Sequence, residues 1–237
     1  MVEKNTYKNR CFIVGTAESL NKIDLSLLKN EITIGINLIL KHPTFVPNYL
    51  CVADTTVMEK HYDNIFNDKM SNGTYVICNG CNILDKRGDH GNCTKNSGST
   101  CRGINIEDKY DNIYYVKHDE KLGINDNEPR TINEEKYYID DDFKTITSYG
   151  GSTVDNLAIP LAVHLGFTEI YLLGCDGGWN HFYDVVQKSG KRDWINYNHV
   201  IKILDLYGVK LLNCDSTNAF SELKYKKLED ILNEKNN

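Results

Sequence analysis

Between Tyr149 and His181 the chain reads YGGSTVDNLAIPLAVHLGFTEIYLLGCDGGWNH, and no other stretch constrains the fold as tightly. Gly150 and Gly151 make a turn. Ser152 with Asp155 three residues on is a capping-box pattern. In it the hydroxyl takes an orphan amide of the first helical turn, and the carboxylate favours the positive helix end. Val154, Leu157, Ala158, Leu161, Ala162 and Leu165 then recur at helical spacing. Pro160 conflicts with that helix, because an interior proline costs about 3 kcal/mol. The helix is therefore expected to bend, or to start later than Val154. Gly166 ends it as a residue past the last turn should. Residues 170–173 (IYLL) are a continuous apolar run, as in a parallel strand covered on both faces. The run ends in Gly174-Cys175-Asp176-Gly177-Gly178, a bend carrying an acid where open α/β sheets bind ligands. The two polar ends, residues 150–153 and 176–181, are expected at one edge of the sheet.

The rest of the chain repeats this alternation. Residues 11–14 (CFIV) make a strand that runs into Gly15-Thr16-Ala17-Glu18-Ser19-Leu20. A glycine turn with a hydroxyl after a strand is a resting place for phosphate or ribose. It is equally the form of an ordinary strand-to-helix turn, being neither GxGxxG nor a Walker loop, and Glu18 has the wrong charge for a phosphate. Further strands are expected at 32–36, 49–53, 74–78, 112–116, 170–173 and 209–212, with helices near 24–28, 57–68, 194–207 and 220–232. Such alternation gives a parallel, doubly wound sheet. Strand after strand finishes on a small or polar residue: Gly15, Asn37, Asp54, Asp176 and Asn213, with Asp215-Ser216 just beyond. Turn chemistry explains single cases. A row along one edge is better explained by a polar cleft.

The 237 residues fit one sizeable α/β domain or two small ones. The alternation favours one domain over 1–237, with 78–148 as an insert or lid within it. A net charge of −6 argues against general nucleic-acid or anionic-membrane binding. No apolar run approaches the roughly 20 residues of a membrane helix, and MVEKNTYKNR lacks a signal-peptide core, so a cytoplasmic setting is expected. Monomer and oligomer are both compatible with the sequence.

Residues 78–103 break the rhythm and hold four of the eight cysteines. Cys78 and Cys81 have zinc-knuckle spacing, and Cys93 and Cys101 complete a tetrahedral thiolate set, with His90 as a substitute. Against structural zinc stands the second spacing, seven intervening residues rather than two. Unligated thiols, or disulfides in an oxidising setting, are the rival states. Cys11, Cys51, Cys175 and Cys214 lie in or beside strands and are expected to be buried as small hydrophobes. The acidic, tyrosine-rich residues 117–148 have weak periodicity. In them Asp140-Asp141-Asp142 reads as a solvated charge run rather than a metal site.

CFIVGTAESLNKIDLSLL, a second strand ending in asparagine, and GGSTVDNLAIPLAVHLGFTEIYLLGCDGGWNH together resemble one superfamily. It joins bacterial lipooligosaccharide sialyltransferases, motility-accessory glycosyltransferases of flagellin and 6-hydroxymethylpterin diphosphokinase-like proteins. The likeness covers about the first forty residues and residues 149–215. It implies a Rossmann-like, mostly parallel sheet of about seven strands, with helices on both faces and a cysteine-containing insert. Where the superfamily carries Gly-x-Gly-Pro, this chain has Gly15-Thr16-Ala17-Glu18, without the second glycine and the proline.

By that resemblance Gly15, Thr16, Ser19, Asn37 and Asp54 hold a nucleoside. Gly151, Ser152 and Thr153 meet the phosphate, and Tyr183 assists it. The branch's late histidine base has His181 and His199 as candidates. His181 is the better placed, following the Asp176 loop, and a neutral imidazole suits an acceptor hydroxyl. The expected activity is sugar transfer from a nucleotide-activated donor, a CMP-linked nonulosonate first among them, to a glycan acceptor, with no cofactor. In the diphosphokinase-like branch Asp176 instead holds Mg²⁺ on the phosphates of ATP. A non-catalytic nucleotide-binding module is the third reading.

Overall fold

The structure, a computed structural model, describes residues 2–79, 111–118, 138–139, 141–147, 152–184, 197–215 and 220–234. Its strands are β1 (Arg10–Val14), β2 (Thr33–Ile36), β3 (Tyr49–Val52), β4 (Thr74–Asn79), β5 (Ile113–His118), β6 (Tyr138–Ile139), β7 (Thr145–Thr147), β8 (Glu169–Leu173), β9 (Lys210–Asn213) and β10 (Lys224–Tyr225). They form one sheet in the order β10-β9-β8-β1-β2-β3-β4-β5-β7-β6. Every neighbouring pair is parallel except β6 with β7. The helices are α1 (Thr55–Lys60), α2 (Tyr62–Ile65), α3 (Ile159–Leu165), α4 (Tyr197–Asp205) and α5 (Leu228–Asn233).

All the strands expected from the sequence are present. The sheet is nevertheless wider than the expected seven, because β6, β7 and β10 extend its two edges. Strands of two or three residues are too short to show a period of two. The helix expected over 220–232 is corrected accordingly. Lys224 and Tyr225 pair with Leu212 and Asn213 as β10, and only α5 is helical. The helix expected over 57–68 is broken at His61, whose backbone (φ −131°, ψ 30°) leaves the helical region.

Alternate residues of each central strand feed opposite faces. Cys11, Ile13, Ile34, Ile36, Ile170 and Leu172 pack on one side with α3 and α4. Phe12, Val14, Leu50, Val52, Tyr171 and Leu173 pack on the other with Leu20, Leu38, Met58, Ile65 and Ile231. Each fully buried side chain of this kind is worth roughly 1.5–3 kcal/mol. Both faces are therefore needed. As expected, Cys11, Cys51, Cys175 and Cys214 are buried and unlinked.

Arg10 staples the amino edge of the sheet. It donates to both Glu31 carboxylate oxygens (3.0 and 2.7 Å) and to the Ile231 carbonyl (2.5 Å). At the far end of α3, Gly166 has φ +93°, and a Cβ there would meet the Tyr7 carbonyl at 2.6 Å. The leader packs against this corner through the Asn5 and Tyr7 amides, which donate to the His164 and Leu165 carbonyls.

Candidate active-site cleft

From β1 the chain moves toward β2 and β3, whereas from β8 it moves the other way, to β9. The adjacent carboxyl ends of β1 and β8 therefore send their loops apart. Open α/β sheets form a crevice at such a switch point. Here it is a cleft of about 580 Å³. Its lining includes Thr16 after β1, Asn37 after β2, Asp54 after β3, Thr153 before α3, and His181 and Tyr183 after β8.

The loops cross at very short range. The Gly15 amide donates to the Leu173 carbonyl (2.8 Å) and the Ala17 amide to that of Gly174 (2.9 Å). A Cβ on Gly15 would stand 2.2 Å from the Gly174 oxygen and 2.9 Å from Cys175 Sγ. Glycine is required by that approach. Above the crossing, Ala17 and His181 form an antiparallel bridge, and the Phe182 amide donates to the Thr16 carbonyl (3.0 Å). The bridge brings Thr16 Oγ1 to 3.0 Å from His181 Nδ1. The His181 ring stacks on Tyr183, with centroids 5.1 Å apart and planes 2° apart.

Asn37 leaves β2 with φ +50°, a left-handed backbone that asparagine tolerates better than most side chains. Its Oδ1 accepts the Thr153 hydroxyl at 3.2 Å. That bond engages the acceptor end of the carboxamide and leaves the Nδ2 donors for a ligand. Asp54 Oδ1 accepts the Val57 amide (3.2 Å), so the carboxylate also caps α1.

The turn before α3 forms half of the expected capping box. The Ser152 amide and hydroxyl both donate to Asp155 Oδ1, at 3.0 and 2.8 Å. The hydroxyl thus gives its proton to the acid instead of accepting an amide. Residues Val154–Ala158 form a π-helical turn in which the Ile159 amide donates to the Val154 carbonyl. This resolves the conflict over Pro160. The wide turn displaces the start of α3, placing the proline in its first turn, where no N–H is needed. Single π-turns of this kind concentrate at functional sites.

Lys41 and His61, which no sequence pattern marks, also line the cleft. Lys41 Nζ lies 4.4 Å from the centre of the Tyr183 ring. His61 is held below the usual imidazole range by burial and by the positive charges of Lys41 and Lys60. The Cys175 thiol, also in the lining, is raised far above its usual range by burial and by Asp215 and Asp176, which disfavours the thiolate.

Ser19 and Asp176 are not among the cleft-lining residues. They belong to a second polar cluster, behind the crossing and centred on Asp215. Asp215 accepts the amides of Gly174 (2.9 Å) and Cys175 (3.1 Å) and the Ser19 hydroxyl (3.2 Å). Burial raises its pKa to about 6, against the lowering effect of the two amides. Asp176 is raised mainly by burial, with Glu18 adding to it. The row of strand-end polar residues thus divides into a cleft and a buried strut. Among the described residues no cluster of three acids, cysteines or histidines suited to a metal is found. Cys78 lies in β4, whereas Cys81, Cys93, Cys101 and Gly151 fall outside the described residues.

No family model and no curated protein matches the chain. Among solved structures it is similar to the sialyltransferase CstII from Campylobacter jejuni, studied in complex with a substrate analogue, cytidine-5'-monophosphate. The two share 15% identity over 92% of this chain and 84% of that chain, with a TM-score of 0.49. No helix among the described residues is long and apolar enough to cross a membrane.

Proposed function

We propose that this chain is a glycosyltransferase moving a sugar from a nucleotide-activated donor, a CMP-linked nonulosonate above others, to a glycan hydroxyl. The observation that carries the reading is the 3.0 Å contact between Thr16 Oγ1 and His181 Nδ1 at the crossing of the β1 and β8 loops. With Nδ1–H donated to the threonine, the lone pair is on Nε2, where a general base needs it.

In this mechanism Asn37 and Asp54 hold the nucleoside, with Asn37 donating from Nδ2. His181 Nε2 takes the proton of the acceptor hydroxyl as its oxygen bonds to the anomeric carbon. The bond from that carbon to the phosphate oxygen breaks, and its electron pair leaves with the nucleoside monophosphate. The start of the π-turn at Thr153 and the Tyr183 hydroxyl meet the developing charge, the role of preorganised donors. The Ser152 amide is already engaged by Asp155 and takes no part.

The magnesium-dependent phosphotransfer reading has no comparable support, because Asp176, the residue it assigns to the metal, is absent from the cleft lining. A thermal-shift series with CMP, CDP, UDP and ATP with Mg²⁺ separates the readings. Stabilisation by CMP supports the glycosyltransferase. Stabilisation by ATP with Mg²⁺ alone favours phosphotransfer, and no shift with any nucleotide removes both.

A further inference from the structure

We infer that Lys41 binds the anionic group of the donor, with the Tyr183 ring holding its ammonium in place over the cleft; this rests on the nucleotide-donor reading above. Lys41 ends the 3-10 turn Asn37–Lys41, which begins with the cleft residue Asn37. It is half-buried, and its Nζ lies 4.4 Å from the Tyr183 ring centre. That ring is itself fixed. It stacks on His181 and meets Phe182 edge-on at 5.0 Å, and Phe182 meets His42 at 5.6 Å. The ring chain joins the loop after β8 to the turn after β2, across one wall of the cleft.

A π-face attracts a cation but carries no net charge to neutralise it. Among the described residues no carboxylate lies within ion-pair distance of Lys41 Nζ, and its ammonium faces the Tyr183 ring. Of the two acids in the lining, Asp54 is turned to the Val57 amide and Asp184 is exposed at the mouth. A partly desolvated ammonium facing a cleft is completed by an anion that arrives with the ligand. His61 beside it is driven toward the neutral form, which leaves Lys41 as the fixed positive charge of that wall. A nucleotide-activated nonulosonate brings two such anions, the phosphate and the sugar carboxylate.

The experiment is calorimetric titration of the full chain and of Lys41→Met and Lys41→Arg with cytidine, CMP and CMP-N-acetylneuraminate. Loss of a charge-assisted hydrogen bond predicts that Lys41→Met weakens binding by roughly tenfold or more, with Lys41→Arg restoring most of it. Weakening with CMP and the sugar nucleotide but not cytidine assigns Lys41 to the phosphate. Weakening with the sugar nucleotide alone assigns it to the carboxylate. Equal weakening of all three, or of none, overturns the inference while leaving the donor reading intact. A wild-type chain that binds none of the three overturns both.

Discussion

The hydroxyl of Thr16 and Nδ1 of His181 stand 3.0 Å apart although 165 positions separate them in sequence. Only the adjacency of β1 and β8 at the switch point brings them together, with the Ala17–His181 bridge setting their height above the sheet. A threonine at that point orients an imidazole. In the proposed mechanism, Nδ1–H donated to the threonine leaves Nε2 to take the acceptor's proton.

Replacing Thr16 with valine keeps the shape and removes the hydrogen bond. Misorienting a general base is expected to lower kcat by roughly 10–100-fold, with CMP affinity changing by less than about threefold. Thr16→Ser is expected to recover most of the loss. Steady-state kinetics paired with calorimetry checks this. Equal losses in kcat and affinity would instead place Thr16 on the nucleotide alone.

At Asn37 backbone and side chain can be separated. The left-handed φ of +50° is easy for glycine, so Asn37→Gly is expected to hold its melting temperature while losing CMP binding. Asn37→Ala loses the side chain and also forces Cβ into a disfavoured conformation, at a cost of about 1 kcal/mol. Denaturation and CMP titration of the two variants test the separation. Retained binding in Asn37→Gly would remove the carboxamide from the nucleotide site.

Asp215 makes a stability prediction with a definite sign. Its folded pKa, about 6, lies above the usual 3.8. The folded state therefore binds more protons in that interval, and the group's contribution is lost as pH rises from 3.8 through about 6. Each pKa unit is worth about 1.4 kcal/mol. The stability of the wild type relative to Asp215→Asn should thus increase by a few kcal/mol between pH 7 and pH 4. Guanidinium unfolding of both proteins at several pH values gives this difference directly. A difference that stays constant with pH contradicts the buried, strained carboxylate.

Gly15→Ala is expected to be severe for so small a change. Its Cβ would stand 2.2 Å from the Gly174 carbonyl oxygen, backbone against backbone, so the two strand ends must separate. Overpacking of this kind costs roughly 1–3 kcal/mol. The cleft should suffer with it, giving a lower denaturation midpoint together with lost CMP binding. Unchanged stability would show that the crossing tolerates more than its geometry allows.

Much of the central sheet was legible in the sequence, because apolar runs ending in Gly, Asn or Asp mark parallel strands and their carboxyl ends. Thr16, Asn37 and Asp54 follow from that logic, Thr153 and His181 from the polar ends of the 149–181 stretch, and Tyr183 from the family resemblance alone; all six line one cleft. The edges were not legible, since two-residue β6 and β10 have no period to read. Nor was the division of the strand-end acids. Asp176 and Asp54 look alike in sequence, yet the packing of Ser19 and Asp215 draws the first behind the crossing. Pro160 did signal a disturbed helix, though not the π-turn that accommodates it. Lys41 gave no signal at all, because its role depends on a ring 142 residues further along the chain.

Acceptor-dependent release of CMP from CMP-N-acetylneuraminate, measured over an array of glycan acceptors, tests the central claim most directly. The account predicts release that needs an acceptor and falls by roughly 10²–10⁴-fold in His181→Gln. No acceptor-dependent release from any CMP-linked donor, or release untouched by His181→Gln, would contradict it.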